Sequence, residues 1–114
     1  MATPNLNLPT VPNGQTNISL AYNEAVQILD ALTPLAVQDK DLAAPPTTIG
    51  ADVGKRWIVA AAATGAWAGQ SGKIALCTAA DVWAFITPPP YIIAYVIDEA
   101  EEYRNISGTW TLIP

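Results

Sequence analysis

Between Lys55 and Ile113 the chain is cut into short runs rich in Trp, Ile, Val, Tyr and Thr, none long enough for an ordinary helix. The runs are Lys55–Ala61, Lys73–Thr78, Val82–Thr87, Tyr91–Ile97, Glu102–Ile106 and Thr109–Ile113. The breaks are Thr64-Gly65, Ser71-Gly72, Ala79-Ala80-Asp81, Pro88-Pro89-Pro90 and Ser107-Gly108. β-Branched and aromatic side chains fit a pleated, half-buried surface, and Gly, Pro and Asp provide the turns. Loops this short call for antiparallel pairing, so residues 55–114 are expected to form a small antiparallel β-sheet of five or six short strands, most simply a meander. Both faces of Tyr91–Val96 are apolar, Tyr91, Ile93 and Tyr95 on one and Ile92, Ala94 and Val96 on the other, so that strand is expected to be covered on two sides. A small domain has little to cover it with, and a sister subunit could supply the second layer.

Ahead of this region, Ser19–Val37 (residues 19–37) reads as an amphipathic helix, its reliable part running from about Ala21 to Thr33. Ser19 can cap the first turn and Glu24 sits where the macrodipole favours negative charge, while Pro34 must loosen the last turn. The apolar positions Ala21, Ala25, Ile28, Leu32 and Leu35 step by 4, 3, 4 and 3, the spacing of a coiled-coil seam. With Ala25 and Leu32 at a and Ile28 and Leu35 at d, three or four strands are favoured over two, and a homotrimer is the natural reading. The same spacing fits a lone helix packed on its own domain; two heptads do not separate the two. The fold class is therefore α+β: an extended N-terminal arm, one helix, then the β region.

The arm is residues 1–18, where Pro4, Pro9, Pro12 and Gly14 leave Leu6, Leu8, Val11 and Ile18 as isolated apolar points. Leu6 and Leu8 alternate with Asn5 and Asn7 as an added strand would, so Leu6, Leu8 and Val11 are read as anchoring residues toward a neighbour or a larger particle, the alternative being an arm folded back on its own domain. Deleting residues 1–16 is expected to leave the rest folded, since none has a periodic partner downstream. Residues 38–54, with Pro45-Pro46 and two glycines, form a connector, and Asp39, Lys40 and Asp41 in it read as a solvated corner.

Composition narrows the function. Ten acids against five bases give a net charge of −5, which argues against a nucleic-acid groove or an anionic membrane surface. There is no histidine and a single cysteine, Cys77, so metal and triad chemistry are nearly excluded and no cofactor is expected. No signal peptide is recognisable and the longest apolar run, Trp57–Ala63, is too short to cross a bilayer, so a product made in the cytoplasm without membrane insertion is expected. The Asn17 and Asn105 sequons should then never meet the glycosylation machinery. With 51% hydrophobic and only 13% charged residues, the chain should have a core and hide further surface in an assembly.

In order and spacing, NEAVQILDALTPLAV, LAAPP, GKRWIVAAAATGAWAGQSGKIA, VWAFITP and a closing strand ending in GTW resemble a domain family of unknown function. That family is found in bacteriophage tail fibres, prophage fibres and gene-transfer-agent particles. The resemblance covers about Ala21 to Trp110, and its most specific part is Ile58-Val59 followed by Ala63-Thr64-Gly65-Ala66-Trp67-Ala68-Gly69. Two departures stand out. Pro88-Pro89-Pro90-Tyr91 replaces a Gly-Trp pair common in the family, and the module is preceded only by the arm, whereas the family's module often ends a much longer fibre.

The resemblance implies a virion as the location and other virion proteins, met through residues 1–18, as partners. It leaves three functional classes: a trimeric fibre or spike module that attaches to a host surface; a capsid or neck decoration protein; and, disfavoured by the missing histidine and absent nucleophile–base pair, a small glycan-active enzyme. Tyr91, Tyr95 and Tyr103, with Trp83 and Trp110, are candidate surface aromatics for stacking a host-surface glycan, though aromatics at alternate strand positions are more often core. Glu99 and Glu101 could mimic a glycosidase pair but read more simply as part of a hairpin turn. The small residues from Ala60 to Gly69 are read as packing beside Trp57 and Trp67, and Cys77 as a small core residue.

Overall fold

The apolar stripe forms one helix, α1, over Asn17–Leu32, ending two residues before Pro34 because the residue ahead of a proline is pushed out of helical geometry. A computed structural model describes residues 3–7 and 17–114, with the side chains of 17–21 excepted. It divides into two units, residues 1–34 and 35–114. In the first, residues 3–7 are not an extended arm. Asn7 N–H donates to the Thr3 carbonyl at 3.1 Å, closing a turn. The turn is fastened to Asp30, a 2% exposed carboxylate near the end of α1. Asp30 accepts from the Thr3 hydroxyl (2.5 Å), from the Asn5 amide N–H (2.9 Å) and side chain (2.8 Å), and from the Leu6 amide. The alternation of Leu6 and Leu8 counted for less here than a carboxylate that collects donors. The Thr33–Pro34 peptide is cis.

The second unit holds seven strands: β1 (Ala36–Val37), β2 (Arg56–Ile58), β3 (Ile74–Ala79), β4 (Val82–Ile86), β5 (Ile93–Val96), β6 (Glu101–Ile106) and β7 (Thr109–Leu112). All six expected runs are strands. The helical expectation for 19–37 fails at its end, where Ala36–Val37 pair in parallel with Tyr95–Val96 as β1. The strands form two sheets, β1-β5-β6-β7 and β2-β3-β4, and not one meander. Three prolines between β4 and β5 are the physical reason: Pro88-Pro89-Pro90 cannot extend a ladder, so the chain leaves the first hairpin pair and starts again. The sheets share a corner, for after β1 Gln38 N–H donates to Arg56 C=O (2.7 Å) and Ile58 N–H to Asp39 C=O (3.0 Å).

One face of the three-stranded sheet carries a tryptophan core. Trp57, Val59, Trp67, Ala75 and Cys77 are buried together, with Leu42, Ala63, Trp83 and Phe85 packed around them. Trp83 meets Trp57 and Trp67 edge-on, ring centroids 5.2 Å apart in both pairs, the orientation ring quadrupoles prefer. Trp67 arrives on a short 3₁₀ turn, Gly65–Trp67, whose Gly65 sits at φ +63° with the Pro45 ring 3.5 Å from where a Cβ would lie. The small residues of this loop and the proline pair of the connector thus fit one another. The connector is stitched down again by Thr48, whose amide donates to the Asp81 carboxylate (2.9 Å) while its hydroxyl accepts the Asp81 amide (2.7 Å). The opposite face, Arg56, Ile58, Ile74 and Leu76, is also buried, as are Val37, Ala94, Val96 and Asn105 of the four-stranded sheet.

Candidate functional site

The other face of the four-stranded sheet is open. In β5 burial alternates strictly: Ala94 and Val96 are fully buried, whereas Ile93 and Tyr95 are each 40% exposed. Tyr91, Ile97 and Ile106 are likewise exposed. The strand expected to be covered on two sides is therefore covered on one among the described residues, and its second apolar face stays exposed. By register, Arg104 lies opposite Ile93 and Glu102 opposite Tyr95 on this face.

The seam residues divide. Ala25 and Ile28 are exposed on α1, Leu32 is half-buried, and the side chain of Ala21 lies outside the described residues. Leu35 belongs to no helix: it is buried beside β1, where its carbonyl accepts from Tyr95 N–H (2.9 Å). Of the anchoring residues, Leu6 is exposed in the Asp30-bound turn, and Leu8 and Val11 lie outside the described residues.

The aromatics separate as well. Tyr91 and Tyr95 are on the open face, but Tyr103 points the other way, its hydroxyl donating to Glu99 and its ring 4.8 Å beneath the Lys40 ammonium. Trp83 belongs to the tryptophan core. Lys40 also pairs with Asp41 (3.1 Å) and Glu99 (3.4 Å), so the "solvated corner" of the connector is tied to a turn distant in sequence. Burial lowers the Lys40 pKa, but the Asp41 hydrogen bond and the nearby negative charges outweigh it and the net shift is upward. The hydrogen bond to Glu99 raises the Tyr103 pKa. Desolvation, with repulsion from Asp39, Glu99 and Asp41, raises that of Asp98. Glu99 sits in the β5–β6 turn as a partner for Tyr103 and Lys40. We expect Tyr103→Phe, which loses the hydrogen bond to Glu99, to lower stability slightly, read as a downward shift in urea midpoint.

Between the sheets' turns runs a groove that no sequence pattern announced. A cleft of about 360 Å³ lies among the Ser71–Lys73 turn, the Pro88–Pro90 segment and the Ser107–Gly108 turn. A second, of about 470 Å³, adjoins it across Ser71, Gly72 and Gly108 and extends to Trp110 and Lys40. Gly72 and Gly108 both have positive φ, which lets two tight turns face each other. The Trp110 indole N–H donates to Gly72 C=O at 3.2 Å, fixing ring and turn together. Asn105, 3% exposed, donates its side-chain amide to Pro88 C=O (3.2 Å) and Pro89 C=O (3.0 Å), setting the proline wall and taking that sequon asparagine out of reach. The Pro88–Pro90 segment thus forms one side of the groove.

Among the described residues no group of three or more His, Cys, Asp or Glu side chains is placed to hold a metal ion, and no helix is long and apolar enough to cross a membrane. No curated protein matches the chain. Residues 22–111 match the profile of a family described as a protein of unknown function, DUF2793, and the chain belongs to that family.

Proposed function

We propose that this chain is a non-enzymatic structural protein of a bacteriophage virion, a trimeric fibre- or spike-type module attached through its N-terminal segment, with a host-surface glycan as candidate partner. The observation that carries the reading is the open apolar face of β5, together with Ile28 and Leu29 exposed on α1. A chain with 13% charged residues that still exposes this much large apolar surface is matched to an assembly. The resemblance to fibre and gene-transfer-agent modules supports the virion setting, and the seam spacing of Ala21, Ala25, Ile28 and Leu32 supports three helices. Leu35, buried in the β unit, drops out of that seam.

Light scattering on the purified protein tests the oligomer: a mass of three chains, independent of dilution, is expected, and a monomer at all concentrations refutes it. Ile28→Asp is the sharper test. At 39% exposure in one chain the aspartate would cost a monomer little, whereas in a seam it places an isolated carboxylate among apolar neighbours and should dissociate the trimer.

Attachment is assigned to Leu8 and Val11, beyond the clasped turn. Leu8→Asp with Val11→Asp should remove the protein from particles while circular dichroism stays unchanged; undiminished incorporation would move the attachment to the β region. Immunogold labelling of particles places the protein on tail or head. A capsid or neck decoration protein is the alternative, supported by the small size and the N-terminal turn held against the helix.

A further inference from the structure

We propose that the groove running from the Pro88–Pro90 segment to Trp110 binds an acidic oligosaccharide, with the Lys73 ammonium receiving a sugar carboxylate. Lys73 lines the first cleft, where no carboxylate joins it; the carboxylate on the adjoining cleft, Asp41, is paired with Lys40. Lys40 and Lys55 are engaged by Asp41, Glu99 and Asp52, Arg56 is buried, and Arg104 lies with Glu102 on the open face of the four-stranded sheet, away from the cleft. Lys73 has no ion-pair partner among the described residues, so in a chain of net charge −5 this cleft is a local positive spot.

The second observation is independent of charge. Asn105 is 97% buried, and its Oδ1 has no hydrogen-bond partner among the described residues. The amide cannot be reversed to cure this, since that would set its oxygen against the carbonyl oxygens of Pro88 and Pro89. The amide is thereby fixed in one orientation and the proline wall of the cleft is preformed, the condition that costs a ligand least on binding.

The remaining chemistry fits the same ligand. Ser71, Thr87 and Ser107 add hydroxyls, the prolines offer a flat apolar wall, and in the adjoining cleft the ring of Trp110 is held in place by Gly72. Volumes of about 360 and 470 Å³ in continuity suit a short chain of rings, within the usual range for ligand pockets. One uncompensated cation suits a polymer bearing a carboxylate every ring or two; it is too little for a polyphosphate backbone. On the face of Tyr91 and Tyr95 the cation Arg104 stands beside Glu102, and neither of the two clefts reaches it. The inference deepens the host-surface part of the reading above and rests on it for the origin of the ligand.

The test is a titration of ¹⁵N-labelled protein, followed by NMR, with tetragalacturonate, a hyaluronan tetrasaccharide and sialyllactose. We expect saturable shifts at Ser71, Lys73, Asn105, Ser107 and Trp110 with at least one of them, at a Kd of about 1 mM or below. Lys73→Ala, which leaves the backbone bonds of its turn in place, should weaken binding at least tenfold, and Lys73→Arg should restore most of it. A neutral, carboxyl-reduced tetrasaccharide should bind as weakly to the native protein as the acidic one binds to Lys73→Ala. The proposal is overturned if none of the three probes shifts these residues at about ten times that concentration, if the shifts map to the Tyr91–Tyr95 face, or if inorganic phosphate reproduces them at equal concentration, which would mark a simple anion site. Particle labelling separates this from the broader reading. A protein located on the virion that fails the titration loses the groove alone, and one that binds but is absent from particles loses the virion alone.

Discussion

Replacing Trp67 with alanine should destabilise the β unit by about 3–5 kcal/mol, the range for truncating a large buried aromatic, and lower its melting temperature by at least about 12 °C. Trp67 is fully buried, fills the space over Trp57 and Ala75, and holds Trp83 edge-on. Its 3₁₀ turn is short and anchored by only a few backbone bonds, so the lost volume cannot be refilled by a neighbouring helix sliding inward. Trp67→Phe keeps most of the volume and should cost well under half as much; the Trp67 indole N–H has no partner in the core, so its removal carries no hydrogen-bond penalty. Thermal unfolding with near-ultraviolet circular dichroism reads both. A Trp67→Ala protein that melts within a few degrees of native would show that the tryptophan cluster is not the centre of the fold.

Asp30→Ala should free residues 3–7 from α1 and destabilise the N-terminal unit by about 2–4 kcal/mol, because several donors lose one ionised acceptor at once. Burial alone would raise the pKa of Asp30, but the hydrogen bonds from Thr3, Leu6 and Asn5 outweigh it and hold the carboxyl below its ordinary value of 3.8. The sign of the pH dependence follows. A depressed folded-state pKa contributes stability that is complete above about pH 4 and is lost as the pH falls through the folded value, where the carboxyl must take up a proton. Acid titration of the helical signal should therefore show a transition below about pH 4 in the native protein and none of that component in Asp30→Asn. Deleting residues 1–16 removes the same donors and should strip stability from the helix, in contrast to the neutral outcome that periodicity alone implies.

These two results also show where the sequence was legible. Trp57, Trp83 and Phe85 lie on runs whose β character was plain from residue type and turn spacing, and all six runs became strands. What failed was pairing. The two residues of β1 are too few for a period, and Ala36–Val37 continued an apolar helical pattern; only the distant Tyr95–Val96 edge made them a strand. The alternation in Tyr91–Val96 correctly revealed two apolar faces, but sequence could not say that one of them would stay open in a single chain. The Asp30 clasp was invisible because a lone aspartate in a helix carries no periodic signal, and its donors are mostly backbone amides, which every residue has. The groove escaped for a related reason: Ser71, Lys73, Asn105 and Ser107 come from separate turns, and an asparagine in a β run gives no hint of an unsatisfied oxygen. The triple proline was the available signal, a break in the β pattern at the place where the groove has its wall.

The corner strand has a consequence in time. Ala36–Val37 joins β5 on one side and is followed at once by bonds to β2 on the other, so the joining of the two sheets waits on a four-residue stretch. Its β5 partner is translated about 60 residues later, a delay of roughly 3–12 s at ordinary elongation rates. Until then the apolar Leu35–Val37 stretch lacks its β5 neighbour and is open to pairing with another nascent chain. A long-range parallel contact of this kind is also slow to form in a complete chain, since loop closure must precede any gain from it. Refolding of residues 35–114 should accordingly be limited by the docking of β1, with the β2-β3-β4 and β5-β6-β7 hairpins already formed.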